Sequence, residues 1–343
     1  MEAVSPAPAA SEHQRIRLLA ILASFLVGVG LMGGKFFVYW LTGSAAVLSD
    51  ALESIINVVA SAFALMSIIL AAKSPDACHP YGHGKVEYFS AGFEGALIIL
   101  AALAIFYQGW SRLFLPREIP NLNLGLLLLL AISLVNLILG LVLVQVGRRT
   151  YSLALVADGK HILTDVYTSG GVLLGLALVL LTGWHWLDGM VAILVGLNIL
   201  YIGAELMQES SAGLMDASDP DLLEEIAAIL RHHRKDLWID VHRLRARRAG
   251  NRVFIDFHLI LPRDLPLETG HREVKELEGV FNTHFEGRAD VLIHLDPCER
   301  PVCPICGLDP CLHRAEETKE QKLWRRETVV EEDMAKPEPE EEI

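Results

Sequence analysis

Six apolar runs, each long enough to cross a bilayer, fill the first 207 residues of this chain and leave few folds open to it. They cover residues 18–40, 44–72, 88–114, 122–146, 153–181 and 186–207. A helix needs about 20 such residues to span the hydrocarbon core. Backbone polar groups in lipid must be satisfied within their own segment, so each run is expected to be a helix. With 52% hydrophobic residues and a mean hydropathy of +0.38, the composition is that of a polytopic integral membrane protein. Arg15 and Arg17 precede the first run, Lys73 and Lys85 follow the second, and Arg148 and Arg149 follow the fourth. The alternate connections carry only Arg112 and Arg117, so the positive-inside rule places both termini in the cytoplasm. No cleavable signal peptide is expected, because the run after Arg17 is too long for a signal h-region.

Two of these runs carry the same polar pattern. Asp50, Glu53 and Asn57 lie in the second; Asp158, His161 and Asp165 lie in the fifth. In each, the last two are four residues apart and share one helix face. Polar groups in a span often join neighbouring helices by hydrogen bonds. Two matching faces, with ionisable groups in both, point instead to a substrate path. Glu53, Asn57, His161 and Asp165 together offer a four-ligand set for a divalent metal of borderline softness. Asp50 and Asp158 could be further ligands, groups that orient the Glu and His, or residues at the water-facing mouth.

The chemistry changes after Asp216. Residues 221–233 have the apolar spacing of an amphipathic helix, and 238–247 and 253–261 alternate like half-buried strands around a Gly250-Asn251 turn. A second helix is expected over 273–285 and a last strand over 290–295. The order α-β-β-α-β predicts a small α+β domain of ferredoxin-like type. His242 and His258 fall on its strands, His271 precedes its second helix, and His294 and Asp296 end its last strand. Each alone reads as a surface residue, whereas jointly they suggest metal.

Two further clusters stand outside those patterns. Asp76, His79 and His83 lie in a loop with Gly82 and Gly84, either a solvated loop or an N,N,O metal site at the membrane surface. Cys303, Cys306, Cys311 and His313 have ligand-like spacing near a knuckle, or are simply reduced cytosolic cysteines. The formal charge of −13 gathers in an acidic, Pro-containing tail at 331–342, expected to be disordered. The Arg243, Arg245, Arg247 and Arg248 run reads as a solvated strand face, and no basic stripe for nucleic acid is present.

These residues resemble the cation diffusion facilitator family of divalent metal/proton antiporters. The likeness covers roughly 15–298, with its specific parts at 48–58, 76–87, 157–166 and 291–298. The resemblance implies an α-helical polytopic membrane domain of six transmembrane helices plus a cytoplasmic ferredoxin-like domain. It implies a transport site of Glu53, Asn57, His161 and Asp165, and a surface site of Asp76, His79 and His83. A regulatory site of His242, His258, His271, His294 and Asp296 would lie near a homodimer interface. Lys85 and Asp216 fall where family members interlock the membrane and soluble parts. The family usually has His or Asp, then Asp, where this chain has Glu53 and Asn57. The amide is a harder, uncharged donor, which leaves iron, manganese, cobalt and cadmium open beside zinc.

The expected organisation is a disordered tail over 1–14, a transport domain over 15–216, a metal-binding and dimerisation domain over 217–298, a Cys/His cluster over 299–314, and a disordered acidic tail over 315–343. The expected function is proton-coupled export of a divalent transition metal across a bacterial inner (plasma) membrane. An uptake carrier, a channel and a membrane-anchored metal sensor are the rivals. No enzyme is expected, since no nucleophile–base pair or phosphate loop is present.

Overall fold

The computed structural model describes residues 8–42, 45–114, 123–184 and 186–331. Contacts divide the chain into two compact units, one spanning Ser11–Met215 and the other starting at Asp216.

The first unit is helical: α1 (Pro8–Thr42), α2 (Ala45–Ala71), α3 (Val86–Phe114), α4 (Asn123–Thr150), α5 (Leu153–Thr182) and α6 (Trp186–Leu214). Among the described residues α1, α2, α3, α4 and α6 contain stretches long and apolar enough to cross a membrane. Side chains such as Leu100, Leu134 and Ile138 face outward although fully apolar, which suits a lipid surround. The α3–α6 and α4–α5 pairs pack closely. Small residues make this possible: a Cβ on Gly159 would meet Gly140 O and Val144 N, both at 2.9 Å. That close approach seats the start of α5 against α4 and so positions the residues on either side of Gly159. At one end of the bundle Arg17 donates to Glu87 Oε1 at 3.0 Å and to Thr150 O, and Ser152 donates to Glu87 Oε2. This buried ion pair joins α1, α3, the end of α4 and the residue before α5. Arg17 is thus a structural cation as well as an orienting one.

The second unit has the order α7 (Pro220–His232), β1 (Asp240–Ala249), β2 (Arg252–Leu261), α8 (Leu267–His284), β3 (Ala289–Pro297) and a short α9 (Arg326–Val330). Asp219 caps α7, accepting from the N–H groups of Asp221 and Leu222. Gly250, with φ of 60°, makes the turn between β1 and β2. The sheet order is β1-β2-β3, antiparallel for the first pair and parallel for the second; α8 is the crossover that a parallel pair requires. The core lies on one sheet face, where Val241, Ile255, Phe257 and Leu259 meet Leu222, Ile226, Leu277 and Phe281.

Four sequence expectations are corrected here. The N-terminal tail is helical from Pro8 rather than irregular to residue 14; residues 1–7 lie outside the described part. Helix α8 starts at Leu267, so His271 sits inside it, not before it. The C-terminal segment is ordered to residue 331: Trp324 and Val329 are fully buried in the domain core, and Lys322 and Trp324 both donate to Asp240. Charge composition pointed to disorder, but one buried indole and its hydrogen bond outweigh that bias locally. Nor is the Cys/His segment separate, since Val302 and Cys306 pack on Ile239 and Ile260. Residues 332–343 of the acidic tail lie outside the described part.

Candidate metal sites

Within the helical unit, Asn57 on α2 bridges the two polar residues of α5. Its amide N–H donates to Asp165 Oδ2 at 2.7 Å, and its carbonyl oxygen lies 3.0 Å from His161 Nε2. The i,i+4 spacing puts His161 and Asp165 on the face of α5 that meets α2. His161 is buried, and its Nδ1 has no hydrogen-bond partner among the described residues. A cavity of about 40 Å³, room for a single ion or water, is lined by Asn57 and Asp165 together with Ser54, Lys35 and Asn136. Neither Lys35 on α1 nor Asn136 on α4 carries a repeated pattern, so sequence reading passed over both. The side chains of Glu53 and Asp50 lie outside the described residues. Asp158 is fully buried and committed: Ser24 on α1 donates to one oxygen at 2.5 Å and Ser61 on α2 to the other at 2.6 Å. Close to it, Glu94 on α3 is buried, and among the described residues neither of its carboxyl oxygens has a hydrogen-bond partner. Ser90 and Glu87 stand four and seven residues before Glu94, but the pattern is not repeated in another span, and sequence reading passed over it.

The loop before α3 closes on itself. Asp76 Oδ1 accepts from the backbone N–H groups of His79 (2.7 Å) and Cys78 (2.9 Å). The His79 N–H above all holds the Asp76 carboxyl below its usual range. Gly82, with φ of 84°, turns the chain back, and His83 Nε2 comes to 3.4 Å from Asp76 Oδ2 while His79 Nδ1 lies 3.2 Å from Oδ1. One ligand atom from each of Asp76, His79 and His83 falls within a mutual 4.8 Å. That spacing fits one metal ion. Next to this loop, Lys85 donates to Leu214 O.

In the sheet unit the histidines form a rank. His242 on β1, His258 on β2 and His294 on β3 are direct cross-strand partners, on the face away from the helices. Ring centroids are 5.0 Å apart for the first pair and 4.7 Å for the second. Asp296, two residues beyond His294 on the same face, lies 2.8 Å from His258 Nδ1, 3.6 Å from His242 Nε2 and 3.2 Å from His294 Nε2. His242, His258 and Asp296 meet the 4.8 Å criterion. They line a cavity of about 290 Å³. A bulge between His242 and Arg245 shifts the β1 register, with Arg243 at a φ of 52°. His271 is exposed on α8 and belongs to neither group found among the described residues. Asp216 accepts from Arg247 at 3.1 Å. His313 turns toward Asp264, at 3.7 Å.

Comparison with known proteins agrees with this layout. Residues 21–215 match the cation efflux transmembrane domain, and residues 218–298 match the cytoplasmic domain of cation efflux proteins. A Synechocystis protein named as an uncharacterized transporter, sll1263, is 39% identical over 83% of this chain and 92% of its own length. The cation-efflux pump FieF of Escherichia fergusonii is 32% identical over 83% of this chain and 94% of its own. FieF of Escherichia coli K12/DH10B shows the same identity and coverage.

Proposed function

The chain belongs to the cation diffusion facilitator family of divalent metal efflux transporters, and on that premise we propose that it exports zinc from the cytoplasm in exchange for protons, as a homodimer. Its six helices would all span the membrane, with both termini in the cytoplasm, and the soluble domain would be a ferredoxin-like variant lacking a first strand.

The observation that carries the reading is the bridge from Asn57 to His161 and Asp165, set beside a cavity of ion size. A metal ion would replace those mutual hydrogen bonds, with Glu53 as the fourth ligand. Binding needs a neutral imidazole and ionised carboxylates, so loading releases protons. Reprotonation from the far side would expel the ion, with His161 as the natural acceptor because imidazole changes charge near neutral pH. Rocking of α2 and α5 against their neighbours would turn the site from one side to the other. Asp158 would act as a tie: its two serine bonds link α1, α2 and α5. Glu94, without a hydrogen-bond partner among the described residues, is a candidate to carry a second proton.

Asp76, His79 and His83 would capture metal at the surface. His242, His258, His294 and Asp296 would bind regulatory metal, with His271 supplied across the dimer and Lys85 and Asp216 linking the two halves.

The test is metal-driven proton movement in proteoliposomes across zinc, iron, manganese, cobalt and cadmium. Zinc entry matched by proton exit, reversed when the pH gradient is reversed, is expected. Metal flux indifferent to the pH gradient would make the protein a channel or uniporter. No flux of any metal, with metal bound only by the soluble domain, would make it a membrane-anchored sensor.

A further inference from the structure

Beyond residue 298, where the match to the cation efflux domains stops, the chain carries a second kind of chemistry. Cys298, Cys303, Cys306 and Cys311 are separated by four, two and four residues, and all are free thiols. We propose that these four cysteines bind one soft divalent metal ion as thiolates, in a structural site distinct from the three His/Asp sites, with Cys298 rather than His313 as the fourth ligand.

The chain path brings the four together. Cys298 is anchored at the end of β3, its N–H donating to Leu261 O at 2.8 Å. A 3-10 turn over Arg300–Ile305 follows, and the Cys306 N–H closes on Cys303 O at 3.2 Å. That tight turn is what a two-residue gap needs if both sulfurs are to reach one ion. Cys306 and Val302 pack with Ile239 and Ile260, and Cys298 packs against the same cluster. Past Cys311 the chain returns. Arg314 donates to Leu308 O, Thr318 donates to Cys306 O at 2.8 Å, and the Ala315 N–H points at Cys303 Sγ at 3.5 Å. A backbone N–H aimed at sulfur favours thiolate over thiol.

Cys303, Cys306 and Cys311 each lie near enough to Cys298 to act on its charge, and a divalent cation held among such thiols favours their thiolate form. His313 is half exposed and faces Asp264, so it competes poorly. The sulfurs do not come within the mutual 4.8 Å that gathers the two His/Asp groups. Metal binding therefore has to tighten the loop between Cys298 and Cys311.

The consequence reaches the sheet histidines. Glu299 and Val302, inside that loop, line the same cavity as His242, His258 and Asp296. Filling the thiolate site would stiffen one wall of the His/Asp pocket and pin the segment that leads to Trp324.

The test uses the full-length protein in detergent and does not involve transport, so it fails or succeeds independently of the export reading. Cobalt added to reduced protein should give a thiolate-to-cobalt charge-transfer band saturating at one ion per chain, displaced by zinc. None of the residues assigned to the His/Asp sites or the transport site is a cysteine, and Cys78, inside the surface loop, is controlled for by its own variant. The band should disappear in Cys303→Ser and Cys306→Ser, weaken and shift in Cys298→Ser and Cys311→Ser, and persist in His313→Ala and Cys78→Ser. A measurement on the unmutated chain guards against misfolded variants: zinc should slow maleimide labelling of four cysteines by roughly tenfold or more, leaving Cys78 reactive. Absence of the band, its loss in His313→Ala with retention in Cys298→Ser, or labelling unaffected by zinc would each overturn the proposal.

Discussion

In the helical unit a polar site is made by two helices, one of which supplies two residues from a single face; in the sheet unit one is made by three strands that each carry a single histidine. His161 and Asp165 share a face of α5 and meet Asn57 on α2. His242, His258 and His294 come from β1, β2 and β3 and align only because the strands are in register. The first arrangement depends on the contact between α2 and α5, with α5 itself seated closely on α4 where Gly140 meets Gly159. The second depends on backbone ladders, and it grades across the sheet from buried His242 to His294, which is 66% exposed. A site buried between helices can be emptied by moving one helix. A site laid across a sheet cannot be dismantled without breaking the sheet, which suits retention over turnover.

The largest expected effect lies in the helical site. Asp165→Ala should abolish flux of every metal while leaving a folded protein. The loss should exceed the roughly 100-fold that removal of even a supporting partner costs a metal site. Flux near the wild-type rate in proteoliposomes would move transport elsewhere and break the comparison.

Asn57→Asp comes next, since it tests whether the bridge tunes selectivity. It would set a carboxylate against Asp165 Oδ2, where an amide now donates at 2.7 Å. Two such oxygens at that distance must share a proton or a cation. The expected result is a changed metal ranking and a shifted pH dependence of flux, because ligand type sets selectivity among first-row metals. If ranking and pH profile both stay as in wild type, Asn57 does not face the ion.

The sheet site should respond by position. His258→Ala, at the centre of the rank and nearest Asp296, should weaken zinc binding to the soluble domain by about 10–100-fold. His294→Ala, at the exposed edge, should weaken it only a few-fold, and both should leave transport measurable. Calorimetry on the two variants separates these outcomes, and equal losses would mean the gradient of burial has no energetic counterpart.

The smallest effects belong to the surface loop. His79→Ala with His83→Ala should slow metal capture yet leave flux. In metal-free protein the Asp76 carboxyl, held below its ordinary value of 3.8 by the His79 N–H, should order the loop only while ionised. The sign follows: that ordering is complete above 3.8 and fades as pH falls through the lowered value. Loop protection in wild type and Asp76→Asn should therefore converge at low pH and separate as pH rises, read by amide exchange at Cys78 and His79.

Much of the helical site was open to sequence reading, because helical periodicity is local: residues four apart share a face whatever lies around them. Asp158, His161 and Asp165 needed nothing further to be singled out. Lys35 and Asn136 were not, since neither belongs to a repeated pattern and the direction of each depends on a partner helix. Glu94 stayed hidden for the same reason. In the soluble domain the element order and the Gly250 turn could be read along the chain, while helix α8 began earlier than its apolar spacing suggested and drew His271 into it.

The amino-acid sequence by itself determined the apolar runs, the two repeated polar faces, the compact Asp76–His83 loop and the succession of helices and strands, all of which follow from short-range spacing. Only the tertiary structure decided that Asn57 joins His161 to Asp165, that Ser24 and Ser61 occupy Asp158, and that Trp324 folds the C-terminal segment into the core. It also decided the histidine rank: His242, His258 and His294 are 16 and 36 residues apart along the chain, and a one-residue slip of any strand would turn its histidine to the opposite face. Register is set by hydrogen bonds and core packing between segments far apart in the chain, and no local pattern encodes it.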